Sequence, residues 1–299
     1  MKRLVRMKTL LVVVALLASL GAACGSDSDG DKKAAVELTT LGKTLPDSIQ
    51  KSGVVRVGSD IEYPPIEFYK EGTKELYGVD WDIAQALGKV LGVKFKFTND
   101  TDFKGLIGSL NSGRYDIIMS AMNDTAERRG NGVDFIDYFL AGSSILAKKG
   151  NPKKIESVDS LCGTTVAVQK GTVQETDILG PQVTKCAATG KPLEVLTFEK
   201  DADAVQQVLN GRAVANLEDF PVAAYNALTS NDGKDFEVAG EQIGSGPYGI
   251  AVPSTQPALR DALQNALKEI IASGRYDEIL AKWNVTAGAL KTAALNGGA

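Results

Sequence analysis

The 299-residue chain contains no histidine. That removes Ser-His-Asp and Cys-His catalysis and takes away the commonest zinc ligand. Cysteine is scarce, three residues in all. Cys24 lies near the start, so Cys162 and Cys186 are the thiols left for a folded body. Two thiols without histidine disfavour a zinc site, and no metal or cofactor is expected. Positive charge is also in deficit. The formal net charge is −4, yet the first 23 residues hold Lys2, Arg3, Arg6 and Lys8 and no acid. Without those four, 29 basic residues stand against 37 acidic ones, a balance of −8, which argues against a nucleic-acid partner. The apolar run at 10–20 is too short for a good membrane-spanning helix. What remains is ordinary for a soluble globular protein, 43% hydrophobic and 23% charged, and long enough for two lobes.

The start reads as a targeting segment. A basic stretch, the apolar run and small residues lead to Cys24, which places a signal peptide at 1–23. Gly21-Ala22-Ala23-Cys24 resembles a lipobox, with Gly21 where a leucine is usual. An ordinary signal peptide is the alternative; a cysteine at this position favours lipidation and anchoring on the extracytoplasmic side. Export leads to an oxidising compartment, where Cys162 and Cys186 are expected to pair. Closing that loop of about 24 residues should stabilise the fold by roughly 3 kcal/mol. GSDSDGDKK at 25–33 is polar and reads as a flexible tether, and 34–52 as a lead-in with no clear partner.

The stretch YDIIMSAMNDTAERR at 115–129 organises the rest. Its apolar start is a short buried strand, followed by Ser120, Asn123, Asp124 and Thr125. Thr125 or Asp124 can cap a new helix with Glu127 and Arg128 in its first turn. Free N–H groups and the helix dipole favour an anion there, and the Arg128 fork fits a carboxylate through two parallel bonds. The same residues also suit a solvated Glu-Arg-Arg on a surface helix.

Upstream, residues 53–58 alternate as a strand and run into Tyr63-Pro64-Pro65, whose prolines forbid helix and hold Tyr63 at a strand's C-terminal edge. A partly buried core role also suits Tyr63. Helices are expected at 83–91 and 102–110, and a strand at 93–97. This β-α-β-α-β order implies a mostly parallel sheet with helices on both faces. After an extended run at 138–148 the pattern repeats. Strands are expected at 164–169, 193–198 and 213–217, with helices from about 173 and at 201–209. LNSGR at 110–114 and LNGR at 209–212 both end a helix before a strand, and both strands finish in polar residues. Two similar lobes with facing polar strand ends describe a cleft. Residues 247–252 are again extended, helices follow at 257–273 and 276–283, and nothing beyond Asn284 is expected to be structured.

VGSDIEYPPIEF, YGVDWDIAQALGKVLG, GRYDIIMSAMNDTAERR, VDFIDYF, VAVQKGTVQE and SGRYDEILAKW occur in this order. Together, over 53–284, they resemble the family 3 extracellular solute-binding proteins of polar amino acid ABC transporters. The resemblance implies an α/β two-lobed clamp, each lobe a mostly parallel sheet with flanking helices, joined by a hinge of two extended segments near 138–147 and 241–252. Lobe 1 would take 53–140 and 247–284, lobe 2 141–246. Residues 24–52 would be lipidated Cys24 and tether, 285–299 a C-terminal tail.

The resemblance also implies binding roles. Arg128 matches the arginine that clamps the ligand α-carboxylate, and Thr172 the lobe 2 residue that completes that site. Asp219 matches the aspartate that pairs with the α-ammonium. Tyr63 and Phe103 match aromatic walls, Asp60 a contact to the ligand side chain, and Ala121 and Asn123 backbone or hydroxyl contacts. At Asn123 an amide replaces the usual Ser or Thr, and Val214 stands where many members have Asp. The implied protein is a monomeric exported lipoprotein that captures an amino acid and delivers it to an ABC permease. Acids at Asp60, Glu62, Glu67 and Glu218, against Lys170 as the main nearby cation, favour a polar uncharged or cationic ligand over glutamate or aspartate. Two alternatives are a ligand-binding sensor lipoprotein and a dehydratase-type enzyme on the same fold. No nucleophile–base pair is visible, so an enzyme is not expected.

Overall fold

The computed structural model describes residues 37–299. The expected signal peptide at 1–23, Cys24 and the expected tether at 25–33 lie outside the described residues.

A 3-10 turn at Gly42–Thr44 and helix α1 (Asp47–Ser52) lead into strand β1 (Val54–Ser59). The expectation of a tether through residue 52 therefore fails for its last part. Leu45 and Ile49 are 2% and 3% exposed and join the main core. Six helical residues are too few to display a 3.6-residue periodicity, so composition alone reads as linker.

Strands β2 (Phe68–Tyr69) and β3 (Leu76–Tyr77) form a small ribbon, then come α2 (Val79–Leu91), β4 (Lys94–Asn99), α3 (Leu106–Asn111), β5 (Ile117–Ile118), α4 (Ala126–Arg129) and the long β6 (Val133–Lys148). The second half runs through β7 (Thr165–Gln169), α5 (Gly180–Ala188), β8 (Glu194–Phe198), α6 (Asp201–Leu209), β9 (Ala215–Asp219), α7 (Phe220–Thr229) and β10 (Phe236–Pro253). Helices α8 (Pro257–Ala272) and α9 (Arg275–Lys282) close the chain order.

One eight-stranded sheet links them in the order β4-β1-β5-β10-β6-β9-β7-β8. Pairing is parallel within β4-β1-β5 and within β9-β7-β8, and antiparallel along β10-β6. Each of the two long strands pairs with one flanking group, β10 with β5 and β6 with β9, so the ribbon joins the two. They are the two extended segments of a two-lobed hinge. Their register slips between Ala239, Ile243 and Gly246, where the ribbon passes from one lobe to the other.

Each lobe carries helices on both faces. In the first, Ile83, Leu87, Leu263 and Leu267 from α2 and α8 pack on Val55, Val57 and Ile250. Leu106 and Leu110 of α3 cover the opposite face at Ile118 and Phe135. Each fully buried leucine stabilises the fold by roughly 1.5–3 kcal/mol. In the second, Cys186 of α5 packs on Val166 and Val168, while Ala204 and Val208 of α6 sit on Ala167. Cys162 and Cys186 form the expected disulfide, with Cα atoms 5.1 Å apart.

Two further differences matter. Helix α7 is absent from the sequence reading, although Asp219 precedes it in extended conformation and Pro221 stands in its first turn. The tail at 285–299 is not unstructured either. It forms a 3-10 turn at Thr286–Gly288, buries Ala293, and bonds to lobe 1 through backbone groups such as Asp137 N–H to Ala294 O at 3.0 Å. Such long-range backbone pairing leaves no periodic trace in a short Gly-, Ala- and Asn-rich stretch.

Candidate functional site

All eight residues assigned to binding from the sequence line one cavity between the lobes: Asp60, Tyr63, Phe103, Ala121, Asn123, Arg128, Thr172 and Asp219. Most sit where a strand ends. Asp60 follows β1, Ala121 and Asn123 follow β5, Thr172 follows β7, and Asp219 ends β9 at the N-terminus of α7. Strand ends of parallel sheets leave loops pointing across the cleft, which is why open α/β sheets bind ligands there.

Arg128 is the third residue of four-residue α4. Thr125 caps that helix, its hydroxyl accepting from Arg128 N–H at 3.2 Å. The guanidinium donates to Asn123 O at 2.8 Å and, across the cleft, to Gly171 O at 3.0 Å, with the Phe103 ring 5.5 Å away. Burial lowers its pKa to about 10, against the pull of Asp219, so it remains a cation at neutral pH. Gly171 must be glycine: its φ is +80° and a Cβ there would come within 2.6 Å of the Lys104 side chain on the opposite lobe. Thr172 turns its hydroxyl inward to Gln169 O at 2.8 Å.

Asp219 is buried on the other side. It accepts from Tyr63 Oη at 3.1 Å and from Gln174 Nε2 at 2.8 Å, and its own N–H donates to Tyr63 Oη at 2.9 Å. Burial nonetheless pushes its pKa up to about 6. Asp60 is treated alike: burial raises it to about 7, against a 2.6 Å hydrogen bond from Gln169 Nε2. The second oxygen of Asp60, Oδ1, is buried with no hydrogen-bond partner. A buried acceptor left open in a cavity wall costs about 1–3 kcal/mol until a donor fills it.

Four more residues line the cavity: Glu67 and Ser120, noted in the sequence but given no contact, and Gln169 and Gln174, which were missed. Ser120 Oγ accepts from Asp60 N–H at 2.9 Å and donates to Glu67 Oε1 at 3.0 Å. Asp80 lies beside Glu67, and its Oδ2 accepts from Ala121 N–H at 3.2 Å. Burial and the adjacent Asp80 push the Glu67 carboxyl well above its ordinary range. The floor also holds Ala121 at φ 45°, a left-handed conformation costing roughly 1–2 kcal/mol for a residue with a Cβ. Neutral Gln and Ser give little functional signal in a sequence; position just past strand ends was the usable one.

The nearby charges sort differently from the sequence reading. Of the acids singled out with Asp60, only Glu67 lines the cavity. Glu62 pairs across the cleft with Lys200 at 2.7 Å, and Glu218 is buried against Asn216 and Asn226. Lys170 pairs with Glu199 at 2.7 Å and does not line the cavity. The lobes are drawn together by Tyr63–Asp219, Gln169–Asp60, Arg128–Gly171 and Lys200–Glu62. Between them a water-sized sphere has about 20 Å³ in which to move, roughly one water. A larger ligand must part these bonds and replace them.

Among the described residues, no helix is long and apolar enough to cross a membrane, and no cluster of acids, histidines or cysteines could hold a metal ion. The family model for bacterial extracellular solute-binding proteins, family 3, matches residues 55–286. The chain is 34% identical over 253 residues to the arginine-binding protein ArgT of Corynebacterium glutamicum, covering 84% of this chain and 81% of that one. It is 33% identical over 280 residues to the ABC transporter glutamine-binding protein GlnH of Bacillus subtilis, covering 91% and 95%. Among solved structures it resembles the ancestral amino acid-binding protein AncCDT-1, a precursor of cyclohexadienyl dehydratase. There the TM-score is 0.70 at 38% identity, over 82% of this chain and 99% of that one.

Proposed function

The chain belongs to the bacterial extracellular solute-binding proteins of family 3, and from that premise we propose that it captures an L-α-amino acid with a polar uncharged or cationic side chain. One observation carries this reading: a cation and an anion, Arg128 and Asp219, come to one cavity from opposite lobes. A zwitterion needs that pair a few ångströms apart. In this reading Arg128 takes the α-carboxylate with help from Thr172, and Asp219 takes the α-ammonium. Tyr63 and Phe103 flank the ligand, and Ala121 and Asn123 add contacts at the carboxylate end. Asp60, with its unpartnered oxygen, receives a donor from the ligand side chain.

Contacts at Arg128, Tyr63 and Asp219 replace bonds that now join the lobes, and the ligand favours the closed clamp by touching both sides. The closed form is then what an ABC permease reads. The three relatives named above are binding proteins, and the cavity offers donors and acceptors without a nucleophile–base pair, so we read it as a binding protein rather than an enzyme. Export, anchoring through a lipid on Cys24 and action as a monomer complete the proposal.

The test is a thermal-shift screen of the common L-amino acids at pH 8, followed by calorimetry. Ligand at about 100 times its dissociation constant should stabilise the fold by roughly 2.7 kcal/mol. Arginine, lysine, histidine or glutamine is expected to bind most tightly. Tightest binding to glutamate or aspartate would overturn the charge assignment, and no shift with any amino acid would overturn the reading.

A further inference from the structure

Helix α4 carries Arg128 yet has little to hold it. It is four residues long, and Arg128 is its one residue that lines the cavity. A single helical turn is unfavourable by itself, because its one or two bonds do not offset the backbone entropy they cost. Apart from Arg128 against Phe103, its side chains are exposed or half-buried. Asn123 O and Gly171 O hold the tip of the guanidinium, but the start of the helix that carries it needs a tie of its own.

The stretch 294–299 supplies that tie. It first covers the edge of β6 in lobe 1, where β10 occupies only one side. Leu295 pairs antiparallel with Ile136, Asn296 N–H donates to Phe135 O at 2.9 Å, and the Asn296 side chain both accepts from Phe135 N–H at 2.8 Å and donates to Asp134 Oδ1 at 3.0 Å. The chain then turns onto α4. Gly297 N–H donates to Asp137 Oδ2 at 3.0 Å and Gly298 N–H to Asp124 Oδ2 at 2.8 Å. Asp124 also pairs with Arg129. Finally Ala299 O accepts from the N–H of Ala126, the first residue of the helix, at 2.9 Å. That N–H is one of the helix-start donors that have no partner within the helix. The approach is close enough to demand small residues: a Cβ on Gly298 would lie 2.0 Å from Asp124 O, and one on Gly297 2.6 Å from Asp137 Oδ2.

We propose that residues 294–299 are a positioning strap that clamps the start of α4 and so aims Arg128 at the ligand. The proposal rests on the reading of Arg128 as the carboxylate clamp. Gly298 is thus a positioning residue, acting only through the arginine.

The experiment uses the full chain with Gly298→Ala, and a second variant lacking residues 297–299, each also made in an Arg128→Lys background. Binding of L-arginine and L-glutamine is measured by calorimetry, and hydrogen exchange is followed at the amides of 126–129. Both strap variants are expected to speed exchange at 126–129 and to raise the dissociation constants about tenfold, with a melting temperature near wild type. In the Arg128→Lys background they should change binding by less than twofold. Unchanged exchange at 126–129 overturns the strap, whether or not either amino acid binds. So does an equal loss of affinity in both backgrounds, which marks a general loss of structure. Wild-type affinity for Arg128→Lys alone overturns the clamp reading instead, a result separate from either outcome for Gly298.

Discussion

Lowering the pH should erase selectivity for a cationic ligand before it abolishes binding. Burial lifts Asp219 to about 6 and Asp60 to about 7 in the free protein. A cation beside either group requires the carboxylate form, so binding must first remove the proton. At pH 5, Asp219 is ionised in about 1 molecule in 11 and Asp60 in about 1 in 100, whereas at pH 8 both are mostly ionised. Every α-amino acid should therefore lose roughly tenfold in affinity between pH 8 and pH 5, about 1.4 kcal/mol, through Asp219 alone. A guanidinium or ammonium side chain facing Asp60 should lose up to about a hundredfold more, while glutamine should not. The sign follows from both pKa values being raised by folding. Their contribution to the ligand-free fold is fully present below about pH 4 and is lost as pH rises through 6 and 7, and a bound cation reverses that loss. Calorimetry of L-arginine and L-glutamine at pH 5, 6, 7 and 8, in buffers of different ionisation enthalpy, reads affinity and released protons together. Asp60→Asn should flatten the arginine-specific part and leave the shared part. A ratio of arginine to glutamine affinity that stays constant from pH 5 to 8 would refute the reasoning.

Two further outcomes follow from particular contacts. Gly171→Ala puts a Cβ against Lys104 at a φ of +80°, so the closed clamp should be strained and amino acid binding weakened about tenfold or more, with a larger radius of gyration by X-ray scattering. An unchanged affinity would mean that the lobes do not close through this contact. Ile49→Ala should destabilise the protein by about 2–5 kcal/mol in chemical denaturation, because Ile49 is 3% exposed within the main core. A shift below about 0.5 kcal/mol, the level of an exposed site, would return 47–52 to the tether.

Charged and aromatic residues at strand ends were legible because their types are informative without a partner. Arg128 follows a strand end and lies in the first turn of a short helix, and the repeated helix–strand order puts it and Asp219 beside a cleft; the role of Asp219 came from the family resemblance. Glu67 was seen as an acid near the pocket, but its place beside Asp80 was not, because that contact spans two elements and is set by how β5 delivers Ser120 and Ala121 between them. Gln169 and Gln174 were invisible for a related reason. A neutral amide looks like surface polarity in a sequence, yet here Gln169 holds Asp60 and Gln174 holds Asp219. Helix α7 could have been found from Asp219, Pro221 and the alanines after them. Helix α1 and the strap could not, since both are short and owe their order to partners far away in the chain.

The same distinction explains how such a site combines charge with burial. The residues a ligand would touch are charged, and each charge is held by neutral groups that supply hydrogen bonds without neutralising it. Gln174 and Tyr63 serve Asp219, Gln169 serves Asp60, and the carbonyls of Asn123 and Gly171 serve Arg128. Had lysines or carboxylates filled these places, the site would already be neutralised and a zwitterion would gain little by entering. Neutral holders leave all three groups desolvated, which is why the pKa values of Asp60 and Asp219 rise and that of Arg128 falls. All three shifts point the same way: each charge is held in a less favourable setting than water, and a ligand carrying the complementary charge relieves it. The affinity of the clamp is thus stored in the cavity wall before the ligand arrives, and closing the lobes is how it is released.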